Sequence, residues 1–188
     1  RSDVARQAGM GGIILTAKHH DGFCLWPSAF STHTVTPEND VLRPFVDACR
    51  EGGIKAGVYI SPWDRNHPSY GTEEYNSVFA NTLKEVHTNY GPFFEQWFDG
   101  ACGEGPNGKK QEYDWPLFEG TELEINPHCV LFSDVGPGCR WVGNEEGHAG
   151  ETNWSTLLTE VGSRKSEFSG CGTAPLSPFT SPLSPLQW

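Results

Sequence analysis

Two spacings of hydrophobic residues alternate along most of the chain. Short continuous apolar runs, typical of buried parallel strands, occupy residues 13–15, 54–60, 93–98 and 130–132. Between these runs, apolar side chains recur every three or four residues, as on one face of a helix, over 41–49, 75–86 and 114–125. The pattern predicts four strands alternating with three helices, after a short helix that ends near Gly9.

Polar residues follow the end of each predicted strand. The chain reads Lys-His-His-Asp at 18–21, Ser-Pro-Trp-Asp at 61–64, Asp-Gly-Ala at 99–101 and Ser-Asp at 133–134. A (β/α)8 barrel gathers its chemistry from the carboxyl ends of several strands, so this alternation predicts an α/β fold of the TIM-barrel type. A doubly wound sheet is the alternative, although no GxGxxG segment follows a strand.

The chain is too short for the whole of such a barrel. Eight strand–helix units need about 250 residues, and the 188 residues here hold four or five units. We therefore expect residues 1–161 to form a partial catalytic (β/α)8 barrel that is incomplete at both ends. Residues 162–188 lose all periodicity and end in the Ser/Pro-rich segment TAPLSPFTSPLSPLQW, so we expect an unstructured tail. An out-of-frame translation would produce the same change.

Composition narrows the range of partners. Acidic residues number 24 against 13 basic ones, and the formal net charge of -11 would repel nucleic acid. No apolar run is long enough to cross a membrane, and no signal-peptide pattern opens the chain. The six cysteines have neither CxxC nor zinc-ribbon spacing, so we expect most to be small buried residues, with a disulfide among them left open. These features determine neither the compartment nor the oligomeric state.

Asp99 is the strongest candidate for catalysis. It ends an apolar strand and precedes Gly100 and Ala101, two small residues that leave its carboxylate accessible. Hydrolysis of a glycosidic bond through a covalent intermediate requires an ionised carboxylate and, about 5–5.5 Å away, a second carboxyl group that acts as acid and base. The alternative is that Asp99 only caps the following loop, since aspartates are common at strand ends in barrels.

The second carboxyl group has four candidates: Asp64, Asp134, Glu145 and Glu146. Glu145 follows Trp141 in the loop expected after the fourth strand. A tryptophan there could shield the carboxyl group and raise its pKa, as a general acid requires. The alternative for Glu145 is an ordinary solvated loop glutamate.

The adjacent histidines His19 and His20 suggest either metal binding or hydrogen bonding to hydroxyl groups. Neighbouring residues on a strand point to opposite faces, so both rings can reach one ligand only if the backbone bends at the strand end. We rank recognition of sugar hydroxyls above metal binding. A buried structural histidine is the alternative for one of the two.

Four segments, in this order, resemble the α-L-fucosidases of glycoside hydrolase family 29. They are AKHHDGFCLW at 17–26, GVYISPWD at 57–64, WFDGA at 97–101 and GPGCRWVGNEEG at 136–147. The resemblance runs from about residue 8 to residue 154, and the first segment is specific by itself. One departure lies at Gly138, where the family pattern GPDxRW has a carboxylate.

The resemblance implies a retaining exo-α-L-fucosidase that acts on terminal α-1,3- or α-1,4-linked fucose in oligosaccharides or glycoprotein glycans. It implies Asp99 as the nucleophile and Glu145 as the acid/base. It also implies a set of substrate-binding residues, namely His19, His20, Tyr59, Trp97, Arg140 and Trp141. It implies no cofactor and no metal, and a secreted, vacuolar or lysosomal location. An inactive fucose-binding fragment and a metal-dependent barrel hydrolase using the two histidines are the alternatives.

Overall fold

The computed structural model describes residues 2–133 and 139–140. The strands in these ranges form one sheet in which every pair of neighbours is parallel. They are β1 (Gly12–Lys18), β2 (Lys55–Ile60), β3 (Glu95–Trp97), β4 (Val130–Ser133) and β5 (Cys139–Arg140). Their order in the sheet is their order in the sequence, so each crossover connects adjacent strands.

One helix precedes β1 and one lies in each connection from β1 to β4, as the hydrophobic spacing predicts. They are α1 (Ser2–Gln7), α2 (Leu42–Glu51), α3 (Glu73–Tyr90) and α4 (Trp115–Ile125), with a 3-10 turn at Pro37–Asn39. Asp40, the predicted cap, lies one residue before the N-cap Val41 of α2, and its Oδ1 accepts the backbone N–H of Arg43 at 2.9 Å. Asp114 caps α4 in the same way, accepting the backbone N–H of Leu117 at 3.0 Å. Both carboxylates occupy amide donors that a helix leaves free in its first turn.

The predicted α/β alternation is confirmed by this parallel sheet and its helices. A doubly wound sheet reverses its strand order at a switch point, and the described strands show no such reversal. The main core lies between the sheet and the helices, where a group of large apolar side chains is fully buried, among them Trp26, Phe79, Leu83, Phe98 and Phe118. The number of strands in the predicted barrel stays a prediction.

Two strands differ from their predicted extents. The run predicted at 93–98 contributes three residues to the ladder as β3, although the backbones of Phe94 and Phe98 also hydrogen-bond to neighbouring strands. Residues 139 and 140, for which the hydrophobic pattern predicts no strand, form β5 and pair with Phe132 and Ser133. The loop expected after the fourth strand was taken to begin at Arg140, which was wrong for this residue, because two residues are too few to show an apolar run.

None of the helices in the described residues combines the length and the apolar character that a membrane crossing requires. The disulfide question is answered for the same ranges, where Cys24, Cys49, Cys102, Cys129 and Cys139 are free thiols. Three of these, Cys24, Cys49 and Cys129, are buried as predicted. The predicted tail at 162–188 lies outside the described residues.

Candidate functional site

The carboxyl ends of β1, β2 and β3 lie at one edge of the parallel sheet and bring the predicted site residues together. Tyr59 pairs in register with Thr16 on one side and Trp97 on the other. His20 follows the end of β1, and Asp99 lies two residues beyond the end of β3. Residues separated by 79 positions in the sequence (99 − 20) therefore meet at this edge.

The Asp99 carboxylate is held at both oxygens and stays open to solvent. Its Oδ2 accepts the Tyr59 hydroxyl at 2.7 Å, and its Oδ1 accepts the backbone N–H of Ala101 at 2.7 Å. The side chain is 27% exposed. The two hydrogen bonds fix the orientation of the carboxylate, and each oxygen keeps a further lone pair. Asp99 is thus an oriented carboxylate, as a nucleophile requires, and its contact with the Ala101 amide also ties the following loop.

His20 lies beside Asp99 without contacting it directly. Its Nε2 is 3.9 Å from Asp99 Oδ2, while its Nδ1 is 2.8 Å from the Ser61 hydroxyl oxygen. Partial burial lowers the pKa of the His20 imidazole below its ordinary value of 6.5, although the Asp99 carboxylate acts in the opposite direction. The neutral ring is therefore favoured at neutral pH.

His19 and His20 lie close together, although adjacent residues on a strand would point apart. Their ring centroids are 4.0 Å apart, because β1 ends at Lys18 and the chain turns there, with the Gly22 N–H donating to the His19 carbonyl. His19 is exposed and its ring stacks against Tyr59 at 5.7 Å. The bend that the sequence analysis named as the condition for joint use of both rings is present.

Aromatic side chains surround these polar groups. Trp97 packs edge-on against Tyr59 at 5.5 Å and against Phe132 at 4.7 Å, while the ring of Trp63 lies 4.6 Å from that of His20. An apolar wall with a few convergent polar groups is typical of a small-molecule site, and rings of this kind stack on the apolar faces of sugars. The structure thus joins Asp99, His19, His20, Tyr59 and Trp97 in one site.

A buried ion pair that sequence reasoning missed lies beneath the site. Lys18 Nζ is 3.0 Å from Asp64 Oδ2, and the two side chains are 3% and 2% exposed. Burial by itself raises the pKa of the Asp64 carboxyl group, but Lys18 and the backbone N–H groups of Asn66 and His67 outweigh burial and lower it. Asp64 is therefore a locked carboxylate and not an accessible acid, which removes one of the four candidates for the second carboxyl group.

Gly22 explains part of the first motif. It adopts φ of +77°, and a Cβ at this position would collide with the Asp64 carboxylate. Only glycine fits such a turn against a buried side chain. Lys18 and Asp64 were visible in the sequence as strand-end charges of opposite sign, but nothing in the sequence indicated that they pair.

The remaining candidates lie outside the described residues or are described only in part. Arg140 belongs to β5 by its backbone, which pairs with Ser133, and its side chain is not among the described groups. A larger set lies wholly outside the described residues: Asp134, Trp141, Glu145 and Glu146. Their roles stay predictions.

Within residues 2–133 and 139–140, one group of three side chains could hold a metal ion, and it is distant in the topology from the two predicted histidines. It comprises His87, Glu122 and Cys129, whose ligand atoms lie within 4.8 Å of one another. His87 is near the end of α3 and Cys129 precedes β4, so the group lies toward the amino ends of the strands. The metal site imagined for His19 and His20 with strand-end aspartates has no such grouping among these residues.

Comparison with known proteins gives consistent matches. The alpha-L-fucosidase family model matches residues 2–151, which include every described residue. Alpha-L-fucosidase 1 of Arabidopsis thaliana is 43% identical over 159 residues, covering 81% of this chain and 31% of that protein. The chain spans about a third of the length of the curated relatives it matches.

Solved structures agree with the sequence matches. A glycoside hydrolase 29 family member from an unknown rumen bacterium superposes with a TM-score of 0.72 at 46% identity, over 86% of this chain and 33% of its own. A glycoside hydrolase family 29 fucosidase from Ruminococcus gnavus, in complex with fucose, superposes with a TM-score of 0.69 at 33% identity. That match covers 82% of this chain and 38% of the Ruminococcus gnavus chain.

Proposed function

Since the chain belongs to the alpha-L-fucosidase family, glycoside hydrolase family 29, we propose that its complete protein is a retaining exo-α-L-fucosidase. Its substrate is terminal α-1,3- or α-1,4-linked L-fucose on oligosaccharides or glycoprotein glycans. The Ruminococcus gnavus relative is in complex with fucose, which supports a fucosyl ligand for this chain.

The observation that carries this proposal is the state of Asp99. Its two oxygens accept hydrogen bonds from Tyr59 and from the Ala101 amide, and its side chain remains 27% exposed. A carboxylate that is oriented, ionised and accessible is what attack on an anomeric carbon requires. An aspartate that merely capped a loop would need only its contact with the Ala101 amide.

Glu145 is the proposed acid/base, 46 positions after Asp99 (145 − 99). The exclusion of Asp64 supports this choice indirectly, because Asp64 is buried against Lys18. Retention requires the two carboxyl groups to lie about 5–5.5 Å apart in the complete protein. Glu146 is the neighbouring alternative, and separate variants of the two residues distinguish them.

The proposed reaction has two displacements. An Asp99 oxygen forms a bond to the anomeric carbon while the glycosidic C–O bond breaks, and Glu145 donates its proton to the departing oxygen. Glu145, now ionised, then removes a proton from water as the water oxygen attacks the same carbon and releases Asp99. Two inversions give net retention, and each proton is returned, so the step needs no cofactor.

His19 and His20 are proposed to bind fucose hydroxyl groups, while Tyr59 and Trp97 line the sugar pocket. Arg140 and Trp141 are proposed to complete the pocket. The exposure of His19, the stacking of His19 on Tyr59 and the contact of Tyr59 with Trp97 support this assignment. The sequential order of the parallel strands supports a scaffold of the (β/α)8 type over residues 1–161.

The test uses the complete gene product with p-nitrophenyl α-L-fucoside. We expect release of L-fucose whose first-formed anomer is α, observed by proton NMR before mutarotation. The matched substrate is p-nitrophenyl β-L-fucoside, which should not be turned over. A β product would contradict retention, and absence of turnover on both aryl and α-1,3/1,4-fucosylated substrates would contradict the function.

Glu145→Ala and Glu146→Ala then test the acid/base. We expect Glu145→Ala to slow natural fucosides far more than aryl fucosides, because a good leaving group needs little protonation. Added azide should restore turnover of the aryl fucoside by this variant. If the defect and its rescue appear in Glu146→Ala instead, the acid/base is the neighbouring residue.

A further inference from the structure

We propose that Ser61 is a positioning residue that holds the His20 imidazole in one neutral tautomer, with the proton on Nε2 beside Asp99. The inference rests on the proposed function only for its effect on turnover. The tautomer itself follows from the hydrogen bonds of Ser61 and can be measured without any substrate.

The direction of the hydrogen bond between Ser61 and His20 follows from the one proton of the buried hydroxyl group. The backbone N–H of Trp63 donates to the Ser61 hydroxyl oxygen at 3.1 Å and so occupies one of its two lone pairs without using its proton. Among the described residues, His20 Nδ1 at 2.8 Å is the acceptor that this proton has, and burial excludes bulk water as another. Because Ser61 donates to Nδ1, that nitrogen carries no proton and the neutral ring carries it on Nε2.

Ser61 is held rigidly enough to impose this direction. Its backbone N–H donates to the Lys18 carbonyl at 3.0 Å, and its own carbonyl accepts the Lys18 ammonium at 2.9 Å. Lys18 is fixed in turn by its ion pair with Asp64. Ser61 is fully buried, so bulk water does not compete for its hydroxyl group.

The segment 61–65 also holds His20 at two other points. The Trp63 ring lies 4.6 Å from the imidazole, and the backbone N–H of Arg65 donates to the His20 carbonyl at 2.9 Å. Ring face, ring edge and backbone are therefore all fixed by residues that follow β2. Such support from a second layer of residues determines how precisely a functional side chain is placed.

The tautomer determines whether Nε2 of His20 can donate a hydrogen bond. Its distance of 3.9 Å from Asp99 Oδ2 is too long for a hydrogen bond, so the Nε2 proton remains available for an oxygen of a bound ligand next to Asp99. A ring protonated at Nδ1 would present a lone pair there and could only accept. The lowered pKa of the His20 imidazole favours the neutral ring and so agrees with this arrangement. Ser61 thus makes His20 a donor to a sugar hydroxyl near the nucleophile.

The direct test reads the tautomer by nitrogen-15 NMR of the complete gene product with labelled histidine, at a pH where His20 is neutral. A His20→Gln variant identifies the signals. We expect His20 to show a protonated Nε2 and an unprotonated Nδ1. In Ser61→Ala, which loses only the hydroxyl group, we expect the nitrogen-15 chemical shifts of His20 to be those of a mixture of the two neutral tautomers. A protonated Nδ1 in the unsubstituted protein would overturn the proposal, whether or not Ser61→Ala folds.

Turnover of the aryl fucoside provides the second measurement. We expect kcat/KM of Ser61→Ala to fall about tenfold, the size expected from one buried hydrogen bond. Most of the loss should be in kcat, because hydrogen bonds to the sugar strengthen in the transition state. Lost turnover with an unchanged His20 tautomer would mean that Ser61 acts by packing alone, and would overturn the proposal.

The chain offers a matched control in a second Ser–His pair. The Ser69 hydroxyl oxygen is 2.9 Å from Nδ1 of His67, whose Nε2 contacts the Phe30 carbonyl at 3.1 Å. Ser69→Ala removes the same kind of contact without touching His20 or Asp99. We expect it to leave the His20 signals and kcat/KM unchanged. A retained His20 tautomer pattern in a protein that lacks fucosidase activity would support the role of Ser61 while contradicting the proposed function.

Discussion

The chain contains two histidine–carboxylate pairs that differ in almost every physical respect. At the carboxyl edge of the sheet, His20 and Asp99 are 3.9 Å apart and 20% and 27% exposed. Between α3 and α4, His87 Nδ1 and Glu122 Oε1 are 2.8 Å apart and 1% and 0% exposed. The first pair keeps polar atoms accessible to a ligand, whereas in the second pair the imidazole and the carboxylate face each other in the core.

The partners of each pair explain the difference. Asp99 accepts hydrogen bonds from Tyr59 and from a backbone amide, so it is oriented without being neutralised. His87 contacts Glu122 on one side and Gln96 at 2.9 Å on the other, although Nδ1 and both carboxylate oxygens lack a well-aligned hydrogen bond. An imidazole and a carboxylate therefore stay accessible where water can enter, and contact each other directly where it cannot.

The largest effect is expected at the accessible pair of His20 and Asp99. Asp99→Asn in the complete gene product should reduce kcat of aryl α-L-fucoside hydrolysis by roughly 10⁴-fold, because an amide cannot form the covalent intermediate. The thermal midpoint should change little, since the amide oxygen can accept the Ala101 N–H while the amide NH2 group can donate to the Tyr59 hydroxyl oxygen. Turnover at a normal rate would remove Asp99 from the mechanism.

Asp47→Asn is the matched control for this measurement. Asp47 is 49% exposed and forms only a 3.7 Å surface pair with Arg50. Surface pairs of this kind contribute little, so both activity and stability should be retained.

Changes to the buried pair of His87 and Glu122 should alter stability and not catalysis. Glu122→Leu leaves His87 buried without its partner and should lower the free energy of unfolding by about 3–5 kcal/mol. The double variant His87→Leu/Glu122→Leu should recover much of this loss, because apolar groups tolerate burial. Chemical denaturation of the complete protein measures both, and a double variant no more stable than the single one would contradict the account.

A metal at the same cluster would alter that comparison in a measurable way. His87, Glu122 and Cys129 are close enough to ligate one ion. If the ion pair is sufficient, a chelator should leave the unfolding midpoint unchanged. A midpoint that falls with chelator and recovers with zinc would show that an ion stabilises the cluster.

Tyr59→Phe should have an intermediate effect on turnover, through the accessible pair of His20 and Asp99. It removes the hydroxyl group that donates to Asp99 at 2.7 Å but keeps the ring that contacts His19 and Trp97. We expect kcat/KM to fall about tenfold, from the loss of one hydrogen bond to a charged group. Tyr90→Phe removes the same kind of bond, to Asp40 at 2.6 Å, away from the site and should leave kcat/KM unchanged. Equal losses in both variants would indicate a general effect on folding.

The smallest effect concerns Glu119 in α4, a third kind of carboxyl group. Burial raises its pKa from 4.5 to about 7. The folded protein then binds this proton more tightly than the unfolded chain, so stability decreases as pH rises from about 4.5 to about 7. Glu119→Gln cannot titrate and should be slightly more stable than the parent at pH 8, by less than about 1 kcal/mol for a partly exposed group. The measurement is the difference in thermal midpoint between Glu119→Gln and the parent protein, taken at pH 5 and at pH 8. An equal difference at the two pH values would contradict the prediction.

Local signals made much of the fold predictable. Apolar runs located β2 and β4 to within one residue and β1 to within three. Asp40 and Asp114 marked helix starts because their hydrogen bonds to the helix backbone join residues only three apart. The two-residue β5 was missed, since its strand character comes from pairing with β4 and not from its own composition. Asp99, His19 and His20 were found because each follows a strand and belongs to a recognisable motif.

The sequence by itself determined the α/β alternation, the strand-end positions of the polar residues and the family to which they belong. Only the tertiary structure decided which contacts the polar residues make. It paired Asp64 with Lys18 beneath the site, placed the Ser61 hydroxyl on Nδ1 of His20, and buried His87 against Glu122. These contacts join residues 35 to 46 positions apart in the sequence. Their strength depends on distance, direction and exclusion of water, which arise only when the strands and helices pack.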